Sequence, residues 1–83
     1  MSRDQRAVPS TLDEAHDVLW RQRPRRDADA SEWIAFHRHS AEVYSRTAKV
    51  DLRHHHEATQ CAGLEIRKAR TLEDLLSGEG DQA

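Results

Sequence analysis

Six histidines fall within 83 residues, and five of them lie in the stretch 31–62. Imidazole is the commonest metal ligand and the side chain that titrates nearest neutrality. His54, His55, His56 and Glu57 are consecutive, but neighbouring helical positions point about 100° apart and cannot converge on one ion. Split by face, His55 falls with Asp51, one turn earlier, and with His37, about 27 Å away along a helix. One helix cannot join His37 to His55. Two long helices paired antiparallel about a two-fold axis near Arg46 would, giving two equivalent sites of His37, Asp51 and His55. That ligand set suits zinc, nickel or iron. The plainer reading keeps both histidines on a packed helix face, with their nitrogens satisfied by Tyr44, Asp51 or water.

Other constellations carry less. His56-Glu57-Ala58-Thr59-Gln60 fails the zincin pattern because Gln60 stands where the second histidine belongs, which excludes peptidase chemistry of that type. No Gly-rich phosphate loop and no nucleophile beside a base stands out, so the chain is expected to be non-catalytic with no cofactor, the metal set aside. Arg21, Arg23, Arg25 and Arg26 form the one basic cluster. They could touch phosphates, as in a nucleic-acid-binding regulator, but Asp27, Asp29 and Glu32 follow at once, and a solvated connector is the expected reading. Cys61 is a single thiol beside apolar neighbours and reads as a small buried hydrophobe.

The elements that position these residues follow from periodicity. Residues 31–62 contain neither Pro nor Gly. Ile34, His37, Ala41, Tyr44, Ala48, Leu52, His55, Thr59, Ala62, Ile66 and Ala69 recur at steps of three and four, the mark of one helix face. The repeated step of four at Ala48 to Leu52 reads as a stutter that would unwind a supercoil locally. Trp33, Phe36, Val43, Val50 and Cys61 run beside this seam. Before it, Thr11-Leu12-Asp13-Glu14 is a capping box that starts a short helix, and Pro24 ends that helix. Asp29 or Ser31 can cap the next one.

The fold class expected is all-α: a short helix over about 11–23 folded against a long helix over about 30–76, bent or broken near Gly63. One domain, 10–76, lies between tails at 1–9 and 77–83. A chain with 36% hydrophobic and 34% charged residues has little core to bury and is marginal alone. The expected partner is therefore a second copy or another helical protein, met through Trp33, Ile34, Phe36, Ala41, Tyr44, Ala48, Leu52, Ala62 and Ile66. The expected function is a small regulatory or adaptor module; metal binding and nucleic-acid binding are the alternatives. Net charge is −2, which gives no global pull towards nucleic acid or an anionic membrane. No apolar run approaches a bilayer span, no secretory signal is visible, and one cysteine allows no disulfide framework. A cytoplasmic protein is expected.

Overall fold

The structure, a computed structural model, describes residues 9–81. Of the tails expected at 1–9 and 77–83, residues 1–8 and 82–83 lie outside the described residues. Three helices and no strand are present among them: α1 Leu12–Gln22, α2 Ala30–Val50 and α3 His55–Asp81, with a single 3₁₀ turn, Leu52–His54, between α2 and α3. No helix among the described residues is long and apolar enough to cross a membrane.

α1 begins where its capping chemistry begins. Thr11 accepts from the Glu14 N–H at 3.1 Å, and the Glu14 carboxylate accepts from both the Ser10 N–H and the Ser10 hydroxyl, one residue before the cap. The helix stops at Gln22 because Pro24 forces Arg23 into extended geometry, with ψ at 139°. α2 starts after Asp29, whose backbone carbonyl accepts from Glu32 and Trp33 while its side chain makes no cap hydrogen bond.

The single long helix expected over 30–76 is two helices, and the break falls at Asp51 rather than at Gly63. Asp51 still donates its N–H to the Thr47 carbonyl at 2.8 Å, then leaves helical geometry at φ −98° and ψ 79°. The His54 N–H closes the 3₁₀ turn on the Asp51 carbonyl, and His55 Nδ1 donates to the Ala48 carbonyl at 3.0 Å, satisfying one of the unpaired acceptors at the end of α2. Reversal here lets the seam close on itself. Ala41 and Ala48 of α2 and Ala58, Ala62 and Ala69 of α3 are all buried, and such short side chains allow two antiparallel helices to approach closely.

Gly63 is an ordinary interior residue of α3, with no atom within 4 Å of the position a Cβ would take. Gly63→Ala should therefore stabilise the fold by about 1 kcal/mol, raising the thermal midpoint by roughly 5 °C in a melting curve followed by circular dichroism. No change or a loss would mean that the glycine relieves a constraint. The tail expected from residue 77 is helical as far as Asp81. Nothing at that point stops the helix, and Ser77 donates its hydroxyl to the Glu73 carbonyl one turn back.

α1 lies antiparallel to α2, as the pairings Leu12 with Asp51, His16 with Tyr44 and Gln22 with His39 show. It places Leu12, Ala15 and Leu19 on Tyr44, Ala48, Ala58 and Ala62. That is the core. α1 ends level with His39, so the far end of the α2–α3 hairpin has no third helix over it.

Candidate functional site

The residues expected to form an intermolecular seam are divided by the fold. Ala41, Tyr44, Ala48 and Ala62 are buried inside the chain. Trp33, Ile34 and Phe36 are half-buried near the start of α2, with Trp33 and Phe36 in edge-to-face contact at 5.8 Å. Leu52 is 74% exposed on the 3₁₀ turn and Ile66 is at the surface. Most of the seam is thus satisfied by α3 of the same chain, because the reversal at Asp51 supplies the antiparallel helix that a second copy was expected to provide.

His37, Asp51 and His55 are held apart within one chain. His37 Nδ1 donates to Glu65 Oε1 at 2.7 Å; Asp51 Oδ2 accepts from the Leu12 N–H at 2.8 Å and from His54 at 3.0 Å; His55 caps α2. His37 lies on α2 and Asp51 caps its C-terminal end, about 21 Å further along. Among the described residues no three His, Cys, Asp or Glu side chains group as one ion would need. The arginine cluster is also dispersed. Arg21 pairs with Asp17 and Arg25 with Asp27, both exposed, Arg26 faces solvent, and the Arg23 guanidinium lies 5.0 Å from the Trp20 ring and 5.2 Å from Trp33. Trp20 does not stack on Trp33 itself. Instead it is 70% exposed and joined to Trp33 through Arg23, an arrangement in which both ring faces attract the cation.

What the hairpin does bring together is a half-open cleft of about 170 Å³ where α1, α2 and α3 meet. Leu19, Trp20 and Phe36 give it apolar walls, and His16, His37, Ser40, Tyr44, Glu65, Lys68 and Arg23 supply polar groups. Glu65, largely buried, accepts from both His37 and Lys68 Nζ at 3.0 Å. A carboxylate can only accept, so the proton of the shared bond sits on His37 Nδ1. Tyr44 shares a 2.8 Å hydrogen bond with His16 Nδ1. Burial first, and then the nearby Cys61 and Glu65, push its hydroxyl up to about 12, so the phenol keeps its proton. Burial likewise pushes the Cys61 thiol up.

Ser40 is the exception in this cleft. It is 1% exposed, and its Oγ has no hydrogen-bond partner among the described residues. Thr47, two turns on, donates to the Val43 carbonyl at 2.8 Å; Ser40 makes no such bond. A buried hydroxyl without a partner costs roughly 1–3 kcal/mol. Its position was open to inspection in the sequence, since 37, 40 and 44 are spaced by three and four. Glu65, Lys68 and Arg23 gave no such signal, because only the hairpin and the docked α1 bring them to the same place.

Comparison with family models, with curated proteins and with solved structures returns no match for this chain.

Proposed function

We propose that the chain is a non-catalytic helical interaction module that associates with a second copy through the exposed face of α3. The observation that carries this reading is the group of exposed leucines on α3 that α1 leaves uncovered. Leu64, Thr71 and Leu72 line a shallow groove of about 390 Å³, and Leu75, 62% exposed, lies one turn further along with Leu76 beside it. Steps of seven and four put Leu64, Thr71 and Leu75 on one face. Arg67 and Lys68 border the groove, and exposed apolar side chains rimmed by polar ones mark interaction surfaces.

Charge favours a second copy as the occupant. Arg67 and Asp74, both exposed, flank the same edge of the row. In an antiparallel α3 pair centred near Arg70, Arg67 of one copy meets Asp74 of the other, twice by symmetry. One helix face is a small interface, so association is expected at roughly 10–100 μM. Light scattering over that range should show the molar mass rising from monomer to dimer. Leu75→Asp should leave a monomer. Arg67→Glu should weaken the dimer, and Arg67→Glu with Asp74→Arg should restore it. A wild-type monomer at every concentration would overturn the reading, and a dimer indifferent to all three changes would move the contact to another face.

A further inference from the structure

We infer that the cleft between α1, α2 and α3 is a binding site for a small monocarboxylate with a planar apolar body, about the size of benzoate. This goes beyond self-association and rests on different observations. The charges in the cleft are Arg23, Lys68 and Glu65. Glu65 is already matched by His37 and Lys68, while Arg23 lies on the two indole rings, which leaves one cation in excess. A monoanion suits that balance. A phosphate dianion would bring more charge than the excess cation neutralises and would set it near Glu65.

The walls argue for the rest of the ligand. Leu19 and Phe36 with the exposed Trp20 ring offer flat apolar surface, and a volume near 170 Å³ is comparable with cavities that hold a single benzene ring. The second, independent observation is Ser40, a residue of this cleft whose buried hydroxyl has no partner among the described residues. Buried polar groups are ordinarily hydrogen-bonded. A carboxylate oxygen accepts, and the Ser40 O–H is the donor left over to meet it, with the Arg23 guanidinium supplying the countercharge at the rim.

The test is calorimetric titration of the full chain with sodium benzoate, benzyl alcohol and inorganic phosphate at constant ionic strength. Protein is held below the concentration at which the molar mass begins to rise, so that failure of the dimer would not affect the result. Tryptophan fluorescence provides a second readout, because Trp20 forms part of the wall. Benzoate is expected to bind saturably with a sub-millimolar dissociation constant, and the other two at least about tenfold more weakly. Arg23→Gln should weaken benzoate by about tenfold or more, and Ser40→Ala by several-fold. Ser40→Ala removes an unpaired hydroxyl and should leave the thermal midpoint unchanged or raised, which separates lost binding from lost folding. Equal affinity for benzyl alcohol would make the cleft merely apolar, and tighter phosphate binding would make it a general anion site. Either result overturns the proposal, as does the absence of saturable binding, or binding that survives Arg23→Gln intact.

Discussion

Leu19→Ala is expected to undock α1 and to lower the thermal midpoint by roughly 15 °C. Leu19 is 4% exposed and is the last buried residue of α1. Leu12, Ala15 and Leu19 are the side chains that helix buries in the core, and a Leu→Ala change at such a position typically removes about 3 kcal/mol. A domain of this size commands of order 8 kcal/mol in total, so one residue carries a large share. The consequence reaches Tyr44, the one tyrosine in the chain. Its hydroxyl is buried beside α1 and bonded to His16. Once α1 leaves, the burial that pushes it up to about 12 is removed, and the phenol should ionise near its ordinary value of about 10. Ultraviolet titration of the tyrosinate in wild type and variant would show this directly. A variant that keeps both its melting midpoint and its tyrosine titration would mean that α1 does not build the core.

The division between what was legible in the chain and what was not runs through Asp51. Thr11 and Pro24 bound α1 because capping and proline geometry are local. The seam from Ile34 to Ala69 was legible as a face for the same reason: a helical period depends on side-chain spacing alone. A period does not say what lies opposite. The step of four from Ala48 to Leu52 suited a stutter in a continuous helix, yet it spans the point where the chain reverses. No proline or glycine marks the place. The turn is held by a hydrogen bond between the Asp51 carboxylate and the Leu12 N–H, 39 residues apart, and by His55 on the Ala48 carbonyl. His54 and His55 both bond within this turn. Glu65 and Glu73, unremarkable in sequence, become the partners of His37 and Arg38 across the hairpin. The cleft was illegible for the same reason, since each wall comes from a different helix.

Removing the Asp51 carboxylate should be the most damaging change at the turn, with Asp51→Ala lowering the thermal midpoint by roughly 10 °C. The carboxylate acts on three elements at once. It caps the first turn of α1 through the Leu12 N–H, where the helix dipole also favours a negative charge, it pairs with His54 in the 3₁₀ turn, and it belongs to the residue at which α2 ends. Alanine would leave the buried Leu12 donor without a partner. Asp51→Asn is milder, because an amide oxygen can still accept that bond.

The comparison of wild type with Asp51→Asn then isolates the charge. The Leu12 N–H, followed by His54, holds the Asp51 carboxyl below the usual aspartate range, against the opposing effect of burial. In the unfolded chain the group titrates near its ordinary value of about 3.9. Above that value both states are ionised, and the stabilisation is present in full. As the pH falls below it, the unfolded state takes up the proton first, so stability declines until the folded carboxylate is protonated as well. Urea midpoints measured from neutral pH downwards should therefore show a gap between wild type and Asp51→Asn that is constant above about pH 5 and narrows below pH 4. Glu14, held low by Ser10, contributes an acid slope of its own, but it does so in both proteins and cancels in the difference. A gap that stays constant through acid would show that Asp51 holds the turn by shape and hydrogen bonding alone.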